Sequence, residues 1–183
     1  MTARESATPD RFVRIGEVVK AIGLKGELKL YPLIDFRPEL LDSAYLSWAD
    51  GSRADIVRHR PAGACEAITV AGVADRNAAD AMVGRELGFA SRDYLAPDFP
   101  RPAGGLPFRW VGRDVRTVAG EAVGRVSEVR LAGASYLLVV PDPRRAGQEI
   151  LIPAVAPILA PEDELEGTLV IDPPEGLLDV QHG

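Results

Sequence analysis

Cysteine occurs once in the 183 residues, at Cys65, and histidine twice, at His59 and His182. One cysteine excludes an intramolecular disulfide framework and an all-thiolate metal cage. It also makes a reducing, cytoplasmic setting the expectation. Two histidines leave little for a nucleophile–His–carboxylate arrangement. His182 is the penultimate residue, where chains fray. His59 stands between Arg58 and Arg60 and reads as a solvated residue at a strand end. No stretch approaches the roughly 18 apolar residues of a membrane span. The longest candidates are residues 131–141 and 150–161, the second interrupted by Pro153 and Pro157. The opening segment carries Arg4, Glu5 and Asp10 without an apolar core, so no signal peptide is expected. A basic excess is also missing. Lys and Arg number 21 against 27 Asp and Glu, a formal net charge of −6. That argues against nucleic-acid binding through bulk positive charge and suits a basic protein partner.

The sequence holds no G-x-G-x-x-G, Walker-type G-x-x-x-x-G-K-[ST], H-E-x-x-H or G-x-S-x-G pattern. Cys65 falls in an expected loop, Pro61–Cys65, with no C-x-x-C partner, and reads as a bystander thiol. Glu162-Asp163-Glu164 reads as a solvated acidic run, since a catalytic carboxyl needs burial to raise its pKa. No catalytic residue, metal ligand, cofactor or small-molecule substrate is expected. An enzyme with an unrecognised site would declare itself by a bound metal or cofactor, or by loss of function on changing His59 without loss of fold.

Glycine and proline are plentiful, 18 and 15, and scattered, which favours short strands over long helices. The densest breaker stretch, residues 96–107, holds four prolines and Gly104-Gly105 and reads as a linker. The expected organisation is an N-terminal β-barrel over 11–95, a linker over 96–107 and a second barrel over 108–180. The expected class is all-β with few short helices. Strands are expected over 12–19, 27–31, 44–48, 54–57, 67–71 and 86–90, the third and fourth joined as a hairpin by Asp50-Gly51. A short helix, Ala78–Val83, is expected with Asn77 as its cap. In the second half, strands are expected over 114–118, 121–129, 135–140, 148–152 and 168–172. Charge is uneven: Arg11–Arg37 has six Lys and Arg against three acidic residues, whereas Pro161–Gly183 has seven acidic residues and no Lys or Arg. One region could meet phosphate and the other a basic surface.

Three stretches carry a family resemblance. The first runs from Arg14-Ile15-Gly16-Glu17-Val18-Val19-Lys20 through Gly23-Leu24-Lys25-Gly26 to Asp35-Phe36. The second is Asp75-Arg76-Asn77-Ala78-Ala79 followed by Gly84-Arg85-Glu86-Leu87. The third is Glu149-Ile150-Leu151-Ile152-Pro153-Ala154-Val155 with Asp172-Pro173-Pro174-Glu175-Gly176-Leu177-Leu178. In order and spacing the chain resembles the RimM family of ribosome maturation factors over about residues 12–180. The resemblance implies a six-stranded barrel like the second domain of translation GTPases, then a PRC barrel. It implies a non-enzymatic factor that binds small-subunit ribosomal protein nineteen and acts on the 30S subunit head and 16S rRNA. It departs from the family at Ile22, where His is usual, and at Gly105 and Leu106, which stand where many members carry tyrosines implicated in ribosome binding.

The residues expected to contact RNA or the ribosome are Arg14, Lys20, Gly23, Lys25, Gly26, Lys29 and Arg76. Gly23 and Gly26 most simply serve a turn needing positive φ, with contact as an added role. Lys25 is either a solvated tip or a phosphate contact, and Arg76 is first of all part of a helix start. The residues expected to meet a protein partner are Phe108, Arg109, Trp110, Leu177 and Leu178, with Phe108 and Trp110 supplying aromatic surface in place of the missing tyrosines. The chain is expected to be a monomer without membrane contact. The competing function is an RNA-binding translation accessory that reads rRNA directly through the first barrel.

Overall fold

In a computed structural model, residues 10–160 and 165–178 are described; Glu162-Asp163-Glu164 and His182 lie outside them. The chain divides between Pro102 and Ala103 into two compact units. Among the described residues, no helix is long and apolar enough to cross a membrane.

The first unit is one six-stranded antiparallel sheet. Its strands are β1 (Phe12–Ile22), β2 (Glu27–Pro32), β3 (Ser47–Trp48), β4 (Ile56–Ala62), β5 (Cys65–Val70) and β6 (Glu86–Ala90), in the order β3-β6-β1-β2-β5-β4. The long β1 pairs with β2 and β6, and its register shifts between Val18 and Lys20 against β2 and between Arg14 and Gly16 against β6. Such bulges bend a strand and raise its twist, which curls the sheet into a half-barrel. Period-two alternation sends Ile15, Leu28, Leu30, Ile68, Leu87 and Phe89 inward, each 0% exposed. Burying one such side chain stabilises the fold by roughly 1.5–3 kcal/mol. A 3₁₀ turn, Pro38–Asp42, adds Leu40 and Leu41 to this core.

Several local expectations are corrected. Asp50-Gly51 makes its turn, with Asp50 accepting from the Ser52 N–H at 2.9 Å and Gly51 at φ 82°. The arms beyond it meet only at the Ser47–Arg53 bridge, and the second arm leaves to pair with β5. Helix α1 spans Arg76–Asp80 and is capped by Asp75, whose carboxylate accepts from the Ala78 N–H at 2.9 Å. Asn77 lies inside the first turn, two residues too late to cap it. Cys65 opens β5 opposite Ala62 instead of lying in a loop. Within the expected linker, Phe99 is 4% exposed and packs against Tyr45, Phe89 and Tyr94, at ring separations of 5.3, 4.9 and 5.5 Å.

The second unit opens with a 3₁₀ turn, Pro107–Trp110, and continues as β7 (Asp114–Thr117), β8 (Ala122–Arg125), β9 (Glu128–Ala132), β10 (Ser135–Pro141), β11 (Glu149–Pro153) and β12 (Leu169–Ile171). They form two three-stranded sheets, β11-β10-β9 and β12-β7-β8. The stretch 121–129, expected as one strand, is two. The Val126 N–H still donates to the carbonyl of Arg113, just before β7, at 2.9 Å, and the next N–H, of Ser127, donates to Val139 in β10, at 2.8 Å. The chain changes sheets between these two residues. β12 pairs with β7 in parallel. Val115, Leu138, Val139, Val140, Ile152, Leu169 and Ile171 fill this unit's core.

Candidate functional site

The turn between β1 and β2 carries the lysines. Gly23 and Gly26 both take positive φ, 62° and 79°, the region that glycine enters without steric cost. Their situations differ. A Cβ on Gly23 would meet nothing within 4 Å, whereas one on Gly26 would lie 2.8 Å from the Val73 carbonyl carbon and closer still to its oxygen. Gly26 is buried, so its place is in the packing of the turn and not on a contact surface. Lys25 and Leu24 stand at the exposed tip.

Lys20 and Lys29 lie directly opposite each other on β1 and β2. The row continues through Ala67 on β5 to Arg60 on β4. Arg60 is committed to Glu27, with Nε–Oε1 at 3.1 Å and Nη2–Oε2 at 2.7 Å. Arg14 is likewise paired with Glu86. Arg76 pairs with Asp80 at 2.9 Å, and its Nη1 donates to the Gly23 carbonyl at 3.4 Å, tying the turn to α1. Lys20, Lys25 and Lys29 have no ion pair among the described residues. Of the seven residues expected to contact RNA, these three lysines have charge left for a ligand, and Arg14 and Arg76 are largely engaged within the fold.

His59 is not a freely solvated strand end. Its ring, 22% exposed, places Nε2 3.2 Å from Asp42 Oδ1 and Nδ1 3.8 Å from Glu66 Oε2, bridging the Pro38–Asp42 turn to β5. No cluster of His, Cys, Asp and Glu suited to a metal ion occurs among the described residues.

In the second unit the expected aromatic surface is corrected. Phe108, Arg109 and Trp110 are 6%, 3% and 4% exposed. A tight 3₁₀ turn beginning at Pro107 carries these side chains into the fold, where their large apolar area is most stabilised. The Trp110 ring packs edge-on against Tyr136 at 5.9 Å, and the Arg109 guanidinium lies 4.5 Å from the indole centroid. Arg109 Nη1 donates to the Gly104 carbonyl at 2.8 Å. A cleft of about 230 Å³ opens beside them, walled by Tyr136, Val155 and Leu159. Leu177 and Leu178 are half-buried, and Leu178 borders a small cavity of about 40 Å³ with Val123 and Ile150. The five residues expected to meet a protein therefore offer little free surface.

Known proteins match this chain along nearly its whole length. The RimM N-terminal domain matches residues 13–94, and the RimM PRC barrel domain matches residues 108–177. Ribosome maturation factor RimM of Anaeromyxobacter dehalogenans is 38% identical over 171 residues, covering 92% of this chain and 98% of that protein. Its namesake from Geobacter metallireducens is 34% identical over 181 residues, covering 92% and 96%. A crystal structure of a 16S ribosomal RNA processing protein RimM from Pseudomonas aeruginosa aligns with a TM-score of 0.43 at 24% identity, over 90% of this chain and 98% of that one. The chain belongs to the RimM family of ribosome maturation factors.

Proposed function

We propose that this RimM-family chain is a non-enzymatic assembly factor of the small ribosomal subunit, working in the cytoplasm as a monomer without cofactor. The observation that carries this is the match of both halves, in order, to the two domains of the family. In this reading the N-terminal unit meets 16S rRNA of the subunit head through Lys20, Lys25 and Lys29, the lysines with no carboxylate partner among the described residues. The acidic C-terminal half holds small-subunit ribosomal protein nineteen. Residues 96–183 carry 8 basic and 13 acidic side chains, and ribosomal proteins are basic, so long-range attraction would speed the encounter. The factor would act by population shift, binding the conformation of rRNA or protein that docks correctly and raising its fraction.

Titration calorimetry of the full chain with the ribosomal protein, beside titration of 16S head-region RNA, tests this. Saturable binding of the protein supports the assembly-factor reading. No heat with the protein, together with salt-sensitive RNA binding, would favour a direct rRNA reader, which the unpaired lysines also support.

A further inference from the structure

The outward face of β2 combines an unneutralised like-charge pair with an uncovered aromatic ring. Leu28 and Leu30 are 0% exposed and point inward. Alternation then places Lys29 and Tyr31 together on the outer face. Tyr31 is 51% exposed. Its three counterparts are engaged: Tyr45 and Tyr94 pack on Phe99, and Tyr136 packs on Trp110. Tyr31 has no ring partner and no side-chain hydrogen bond among the described residues. One exposed tyrosine alone is ordinary. This one lies one position along its face from Lys29, which stands opposite Lys20. Directly opposed like charges on paired strands, with Cβ atoms about 5 Å apart, destabilise the pairing, and a polyanion laid across them would relieve that repulsion.

Resting on the proposed RNA contact of this unit, we infer that Tyr31 stacks an unpaired RNA base while Lys20 and Lys29 hold the adjoining phosphates, so that the ligand is single-stranded or bulged rRNA. Duplex RNA keeps its base faces inside the stack and offers an aromatic side chain no face to cover, whereas splayed bases stack readily on such rings. The charges along the strand also orient the ligand. Opposite Tyr31 on β1 stands Glu17, which repels phosphate. The RNA backbone therefore runs at the Lys20–Lys29 end of the face, and the base reaches over the ring.

The test uses the full chain and two fluorescent probes, a short single-stranded oligoribonucleotide from the 16S head region and its fully paired duplex. The unaltered chain should prefer the single strand. Tyr31→Phe should keep that affinity and Tyr31→Ala should weaken it about tenfold or more, leaving duplex binding and the thermal melt unchanged. The double change of Lys20 and Lys29 to Gln should weaken both probes and flatten the single-strand salt dependence by about 1.4 in log–log slope. Loss of RNA binding in the lysine variant with Tyr31→Ala unaffected would overturn the stacking inference and leave the lysine contact standing. Equal affinity for both probes would overturn it too. No binding of either probe would overturn both, and weakened association of Tyr31→Ala with the ribosomal protein instead would assign this face to a protein.

Discussion

Gly26 sits so close to Val73 that a side chain at this position would overlap the Val73 carbonyl. With φ at 79°, the position excludes other residues twice, through the left-handed backbone and through the neighbour. Gly23, at φ 62° with open space around it, carries only the first restriction. Gly26→Ala should cost at least about 2 kcal/mol and Gly23→Ala about 1 kcal/mol. Urea midpoints of the two variants measure the difference; equal losses would show that the Val73 contact is without weight.

The cap of α1 gives a second discriminating pair. Asp75→Ala removes the acceptor for the Ala78 N–H and should cost about 1 kcal/mol. Asn77→Ala, at an exposed position, should stay within about 0.5 kcal/mol of the unaltered chain. Thermal melts of both variants check this, and the reverse order would restore Asn77 as the cap.

Trp110 should behave as core. At 4% exposure and edge-on to Tyr136, its replacement by Ala should lower stability by about 3–5 kcal/mol. Circular dichroism during urea unfolding reports the loss, since the substitution removes this unit's tryptophan. A surface anchor would instead lose partner affinity with its stability intact.

Acid stability should depend on Glu149. Hydrogen bonds from Arg130, opposed by a smaller desolvation effect, hold its carboxyl below the ordinary value, and the same bonds raise the Arg130 guanidinium. A carboxyl depressed in the folded state stabilises that state above its unfolded pKa, about 4.3, and the contribution fades as pH falls through the lowered folded value. The stability gap between the unaltered chain and Glu149→Gln should therefore narrow as pH falls from neutral to below the unfolded value of about 4.3. Urea midpoints across that range test it, and a gap independent of pH would contradict the sign.

The strands were legible where alternation was clean. Phe12–Ile22, Glu27–Pro32 and Glu86–Ala90 fall where β-branched residues and period two place them, because the buried face fixes the register. What local pattern cannot convey is which strand an arm joins. Asp50-Gly51 marks its turn, yet the following arm pairs with β5, a choice made by the whole sheet. The break at Val126–Ser127 is of the same kind, since apolar alternation reads alike on either sheet. For the candidate site, the lysines were visible as a charge cluster, but their freedom from carboxylates was not. Arg14 and Arg76 look equally cationic in sequence and differ through Glu86 and Asp80, the latter only one helical turn away. Tyr31 was within reach, since it follows Lys29 by two residues in an alternating strand. The burial of Phe108 and Trp110 was hidden because residue type alone cannot distinguish an anchoring ring from a packed one.

The two strand pairings that close the units also fix an order of events during synthesis. Phe12 of β1 pairs with Ala90 of β6, and Val115 of β7 pairs with Leu169 of β12. In each unit an early strand waits for the last one to leave the exit tunnel. Because chains emerge N-terminus first, the lysine-bearing sheet can close while the later strands are still unmade. The unit holding Trp110 completes its second sheet only when Leu169–Ile171 has emerged. Until then β7 keeps one hydrogen-bonding edge open, and its protection from stray strand pairing depends on how quickly those last residues are translated.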